Sequence, residues 1–333
     1  MPLAVKGRLI NNAKTSDRVY GAFNNYKPLI DRLVSELAPR PVYFFSYDWR
    51  LDAKRLASDL ADEIEAVAEL HQLAEGEPAI DVIAHSMGGL VTAAFMKMYA
   101  AKSARFIDQI ITCGTPYEGS PVLLERTLSD DTDYGQDRSL TLKSLGFDLL
   151  FGYLRQYQNI ICTLPSMLLL TPTADYIAHM PLYKSGDAQN TAAVYSLTEY
   201  VDMLVTVFGA AGVVRYYSQQ AWLKQDEAGQ SLGHNYLLSL NNTWYIVGTG
   251  ERSLQTAVVS ETENGVTVRA VRGFTPLHSA DGDGTVPLLS ATMMGQLPAA
   301  LAGTGRYLEL ETDHNGTCMS DPAMEWMIGV LMH

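Results

Sequence analysis

A chain of 333 residues, 47% hydrophobic and 18% charged, carries enough apolar material for a substantial core, which excludes a largely disordered polymer. Its formal net charge of -13 excludes a nucleic-acid partner, since phosphate binding needs clustered Lys and Arg, and disfavours tight docking on anionic membranes. No apolar run reaches the roughly 18 to 20 residues of a spanning helix, Met1 to Leu9 is too short for a secretory signal, and three cysteines (Cys113, Cys162 and Cys318) make no disulfide framework, so a cytoplasmic location is expected.

In chain order, Met1 to Asn12 is a weak strand candidate. Pro28 at a first-turn position, with Leu29, Ile30, Leu33, Val34 and Leu37 on one stripe, predicts an amphipathic helix that Pro39 and Pro41 close. Val42-Tyr43-Phe44-Phe45 is expected to be a strand. Asp52 then caps a long helix whose apolar face is Leu56, Leu60, Ile64 and Val67. A second strand, Ala79 to Ala84, runs directly into His85-Ser86-Met87-Gly88-Gly89 and an apolar helix from Leu90 to about Tyr99, and a third follows at Ile107 to Thr112. This alternation predicts an α/β fold, a mostly parallel sheet flanked by helices, with ligands at the carboxyl ends of its strands.

Between about Pro121 and Leu240 the alternation stops. The stretch is rich in Leu, Met and Tyr, with Leu145-Gly146-Phe147, Leu149-Leu150-Phe151 and Met167-Leu168-Leu169-Leu170 as its apolar blocks, and is expected to be a mainly helical cap. Strands are then predicted at Thr243 to Val247 and Arg306 to Leu310, with a hairpin from Leu254 to Val271 between them and a closing helix from Pro322 to about Leu331. The expected organisation is a catalytic domain formed by residues 1–120 and 241–333, interrupted by a helical cap over 121–240.

Ser86 lies between a buried strand and a helix, in Ala84-His85-Ser86-Met87-Gly88. A sharp strand-to-helix turn tolerates only small residues two before and two after the serine, and it presents the hydroxyl beside the helix N-terminus, where the Met87 backbone amide can stabilise an oxyanion. The rival reading is a serine that merely caps the helix. A serine nucleophile needs a base and an orienting carboxylate, in the chain order Ser, acid, His. Asp281-Gly282-Asp283-Gly284-Thr285-Val286-Pro287 offers two carboxylates; Asp283 is favoured and Asp281 is the alternate. A calcium loop fails on Thr292, which stands where the bidentate Glu belongs. His314, in the polar loop after the last strand, is the expected base, ahead of His278, which precedes the acid; His85 is read as packing. No metal or other cofactor is expected, because nowhere do His, Cys and carboxylates show metal-site spacing.

These pieces resemble the lecithin:cholesterol acyltransferase-like branch of the α/β-hydrolases. The matching runs are Phe45-Ser46-Tyr47-Asp48-Trp49-Arg50, Ala84 through Leu90, Cys113-Gly114-Thr115-Pro116-Tyr117-Glu118-Gly119-Ser120 and the Asp281 to Pro287 loop. The resemblance covers both halves of the catalytic domain and little of the cap. It implies an acyl-enzyme mechanism on a lipid or other hydrophobic carboxylic ester, with water or another alcohol taking the acyl group. It also implies substrate contacts at Tyr47, Trp49 and Tyr117 and only transient contact with a lipid interface. For Tyr47 to Arg50 an ion pair and packing Trp bracing the strand end is an equal alternative. One departure stands out: family members carry a Pro-Gly or His-Gly loop before the first helix whose amide completes the oxyanion hole. Residues 1 to 25 contain no such loop, which leaves the second donor unassigned and, beside an acyltransferase, a catalytically impaired homologue that binds a lipid or partner as an alternative.

Overall fold

The structure, a computed structural model, describes residues 22–74, 76, 79–128, 164–185, 193–264 and 268–332. The Met1 to Asn12 strand and the Leu145 to Phe151 blocks lie outside them.

Among the described residues, seven strands form two sheets. In chain order they are β1 (Ile80–His85), β2 (Ile107–Cys113), β3 (Tyr183–Lys184), β4 (Thr243–Thr249), β5 (Ser253–Asn264), β6 (Val268–Ser279) and β7 (Tyr307–Glu311). The main sheet has the order β1-β2-β4-β7, and every pairing in it is parallel. Parallel strands are buried on both faces, and the side chains here divide accordingly. Ile110, Tyr245 and Val247 enter one core, while their neighbours Ile111 and Ile246 enter the other.

On the first face lie α2 (Ala53–Leu70) and α3 (Met87–Met98). Asp52 caps α2 by accepting the Arg55 amide at 3.0 Å, and Leu56, Leu60 and Ile64 are buried as the periodicity requires. Each such side chain withdrawn from water contributes about 1.5–3 kcal/mol, an upper figure because the unfolded chain is itself partly collapsed. Helix α3 is buried almost all round, with Ala93 and Ala94 letting it lie close to its neighbours.

The second face is covered by α1 (Ala22–Glu36) and by the closing helix Asp321–Leu331, through Leu29, Leu33, Met324, Met327 and Leu331. Helix α1 starts six residues before Pro28, earlier than the sequence suggested. Pro28 removes one internal hydrogen bond, but it lies on the exposed side, where water can satisfy the freed carbonyl.

Val42 to Phe45 is not a strand. Its side chains keep to opposite cores, Val42 in one and Phe45 in the other, yet among the described residues it forms no ladder, and β1 ends the sheet. The β5–β6 hairpin is longer than expected and leaves the main sheet. It pairs with β3 and packs Leu254, Ala257 and Val259 against Tyr176, Tyr200 and Leu204 of the inserted helices.

The segment bearing Thr173 and Lys224 is tied to the loop after β2 at Glu118. Its buried carboxylate accepts from Lys224 Nζ at 2.7 Å and from the Thr173 hydroxyl, and Lys224 reaches Asp175 at 2.6 Å. Burial pushes the Glu118 carboxyl up and Lys224 opposes it. Among the described residues no helix is long and apolar enough to cross a membrane.

Candidate active site

Ser86 follows β1 directly and adopts φ 56°, ψ -128°, a left-handed backbone that non-glycine residues rarely take. The turn is held by the Ser86 amide, which donates to the Cys113 carbonyl at 2.8 Å, and by the Gly89 amide, which donates to the Ser86 carbonyl at 3.0 Å. The serine makes no capping hydrogen bond to the helix, so the capping alternative finds no support. As the first residue of α3, Met87 has an N–H with no acceptor inside the helix, left facing the mouth of the turn.

Close packing of this turn requires glycine at position 89 but leaves room for a Cβ at position 88, contrary to the sequence expectation. A Cβ on Gly89 would lie 2.1 Å from Thr115 Oγ1 and 2.6 Å from Thr115 Cγ2. Gly89→Ala is therefore expected to cost at least ~1–3 kcal/mol, because Thr115 sits in a buried loop with nowhere to retreat. A lower Tm than that of a Gly88→Ala control, whose Cβ would meet nothing closer than 3.7 Å, checks this; equal melting would contradict the packing argument.

The acid loop reaches the same edge by a detour. After β4 the chain builds the β5–β6 hairpin and returns so that Asp283 bridges Glu251 in parallel register, just beyond the end of β4. Asp283 is 1% exposed. Its Oδ1 accepts the amides of Thr285 at 3.0 Å and Val286 at 2.7 Å, and its Oδ2 meets His314 Nδ1 at 2.7 Å. Asp281, the alternate, is exposed and takes a hydrogen bond from Ser279. His278 is likewise exposed, on β6.

His314 follows β7 in a loop laced by its own polar groups: Asp313 Oδ1 accepts the Gly316 amide at 2.7 Å, and Thr317 Oγ1 donates to the His314 carbonyl at 2.7 Å. Its side chain is 11% exposed, and its Nε2 is buried with no hydrogen-bond partner, the Ser86 hydroxyl included. With Nδ1–H donating to a carboxylate, Nε2 carries the lone pair.

Two contacts bring this pair beside the serine. Gly114, next to the carbonyl that holds the Ser86 amide, is packed so closely that a Cβ there would stand 3.1 Å from Asp283 Oδ2 and 3.2 Å from His314 Nδ1. His85, the residue before the serine, stacks its ring 4.6 Å from that of His314. Gly248, at the end of β4, clears the space for Asp283, since a Cβ there would come within 2.6 Å of the Asp283 Cβ.

The residues expected at the substrate diverge. Tyr117 is 2% exposed, sits in the main core and donates its hydroxyl to Thr112 Oγ1 at 2.9 Å. Tyr47 and Trp49 are partly exposed, and the Tyr47 hydroxyl lies against Gly88 in the first turn of α3. Asp48 and Arg50 form a two-pronged ion pair at 2.7 and 2.6 Å, which holds the Asp48 carboxyl below its usual range. Among the described residues no cluster of three or more His, Cys, Asp or Glu side chains could hold a metal ion. The sequence reading missed Tyr26, whose hydroxyl lies 2.6 Å from His85 Nδ1; no local pattern signals a contact 59 residues apart.

Comparison with known proteins bears on the fold and the family. The chain is 33% identical over 89 residues to lecithin-cholesterol acyltransferase-like 4 of Arabidopsis thaliana, a match covering 27% of this chain and 16% of that relative's length. It also superimposes on a chain of the Tle4–Tli4 complex with a TM-score of 0.52 at 15% identity, over 96% of this chain and 78% of the other. The fold is that of the α/β-hydrolases. The family model for lecithin:cholesterol acyltransferase matches residues 21–206, a span that holds the Tyr47 to Arg50, Ser86 and Tyr117 segments and stops before Asp283 and His314. More than half of the sequence lies within that match, and the chain belongs to the lecithin:cholesterol acyltransferase family.

Proposed function

We propose that this chain is a serine hydrolase that cleaves lipid or other hydrophobic carboxylic esters through an acyl-enzyme. His314 Nε2 takes the proton of Ser86 as Oγ adds to the ester carbonyl; the imidazolium is steadied by Asp283 and then gives the proton to the departing alcohol. Water, deprotonated by the same Nε2, attacks the acyl-serine, releasing the acid and restoring the hydroxyl. The Met87 amide, at the positive end of α3, stabilises the oxyanion in both halves. The segment 121–240 acts as a cap, with Tyr47 and Trp49 at its edge contacting the substrate.

The observation that carries this reading is the buried, unpartnered Nε2 of His314. A polar atom withdrawn from water without a partner is costly, and such atoms persist where a reacting group needs them. In an imidazole already fixed by a buried carboxylate, that atom is a base awaiting a proton.

A fluorophosphonate probe tests the reading. One equivalent should bind per chain, at Ser86, and His314→Ala should slow labelling by at least about a hundred-fold, in keeping with general-base contributions. A folded wild-type protein that takes up no label would overturn it. In a p-nitrophenyl ester series, preference for acetate over long acyl chains would remove the lipid assignment. The family also admits an acyltransferase; addition of a competing alcohol separates the two, since a hydrolase gives free acid as its only product.

A further inference from the structure

We propose that Tyr26 and His85 form a hydrogen-bonded strut that positions His314 through its backbone carbonyl, making both positioning residues for the reaction of Ser86. The inference rests on the hydrolase reading above and adds to it two side chains that lie outside the triad.

The strut runs from α1 to the loop after β7. The Tyr26 hydroxyl is 2.6 Å from His85 Nδ1, and His85 Nε2 is 2.9 Å from the His314 carbonyl oxygen. The second contact fixes the tautomer. A carbonyl can only accept, so Nε2 carries the hydrogen; Nδ1 is then the acceptor, and the Tyr26 hydroxyl donates to it. Each atom in the chain has one role, and none can be reversed without setting two lone pairs against each other.

Its end point is where a small movement matters. The His314 carbonyl takes two donors, Thr317 Oγ1 at 2.7 Å from its own loop and His85 Nε2 from the strand that carries the serine. The Thr317 bond is internal to the loop and moves with it. The His85 bond is the one that ties the loop to the turn at Ser86. The rings of His85 and His314 lie 4.6 Å apart and that of Tyr26 stacks edge-on to His85 at 5.6 Å, so the strut is braced laterally as well.

Its electrical state suits the role. Burial pulls His85 down to about 3, and its neighbour His314 adds to the effect. Burial likewise raises the Tyr26 hydroxyl, so both members stay uncharged and keep their hydrogens. A cation at His85 would oppose the imidazolium that His314 becomes during the reaction; a neutral ring does not.

The test compares His85→Gln with His85→Asn and Tyr26→Phe in the full chain. The amide nitrogen of Gln reaches the place of Nε2, whereas that of Asn stops at the place of Nδ1. His85→Asn should lower kcat at least about tenfold with KM within about twofold of the parent, because a loosened base impairs the chemical step and not ester binding. His85→Gln should recover most of that loss. Tyr26→Phe should fall between, as the ring keeps its bond to the His314 carbonyl but loses the donor that holds Nδ1. Circular dichroism and Tm measured on each variant keep folding losses apart from kinetic ones. A parent that labels at Ser86 together with Asn and Gln variants of equal kcat overturns the strut alone. A rise in KM with kcat retained also overturns it. A parent that neither labels nor turns over ester overturns the hydrolase reading, and this inference with it.

Discussion

Replacing Ser86 by alanine is expected to lower ester hydrolysis on the order of 10⁶-fold while leaving Tm within about 2 °C of the parent. The alanine keeps the φ of 56° and loses only a hydroxyl that makes no capping bond, so little holding the fold is touched. Ser86→Gly separates the two quantities. Glycine adopts this backbone without penalty, and relief of ~1–3 kcal/mol of strain exceeds the roughly 0.5–1 kcal/mol that its freer unfolded chain costs. The glycine variant should therefore be as inactive as the alanine one and melt a few degrees higher. Paired kinetics and thermal melts of the two variants check both claims; residual turnover within a hundred-fold of the parent would sink the nucleophile assignment. A glycine variant no more stable than the alanine would show that the turn stores no strain.

Asp283→Asn should reduce kcat about 10⁴-fold with KM nearly unchanged, the size of effect seen when a triad carboxylate becomes an amide. The local hydrogen bonds dictate why. Oδ1 is held by the amides of Thr285 and Val286, and an asparagine keeps its carbonyl oxygen there. Its NH₂ group is then directed at His314 Nδ1, which must accept and so passes the hydrogen to Nε2. The base is present, correctly placed and in the wrong tautomer. Because both backbone bonds survive, Tm should change little. A loss below tenfold would show that His314 does not depend on this carboxylate, and unfolding would show that the charge is structural.

The parts of the site that could be read from sequence are those whose chemistry is local. The strand-to-helix turn at Ser86 announces itself through Ala84, Gly88 and Gly89. The acid and base loops do so through a carboxylate or imidazole among glycines at the end of a strand. The helix faces of α2 and the closing helix follow from apolar spacing for the same reason. What escaped was set by partners far away in the chain. Val42 to Phe45 has the composition of a strand, yet pairing is a property of two segments, and composition does not reveal whether a second one lies in register beside it. Nothing in Leu254 to Val271 distinguishes a hairpin that extends the main sheet from one that leaves it to pair with β3. Tyr26 falls on the periodic face of α1 like any packing residue, and only three-dimensional proximity gives its hydroxyl a purpose.

The anchor at Glu118 limits the relative movements the fold permits between the loop after β2 and the segment bearing Thr173 and Lys224. Drawing that segment away as a whole would break the Glu118–Lys224 pair and the Thr173 hydrogen bond together. Gly119 adds a mechanical stop beside it, because the carbonyl of Thr171 occupies the space that a side chain there would fill. That corner, Thr173 with Lys224, is thus held at once by charge, by a hydroxyl and by close backbone contact.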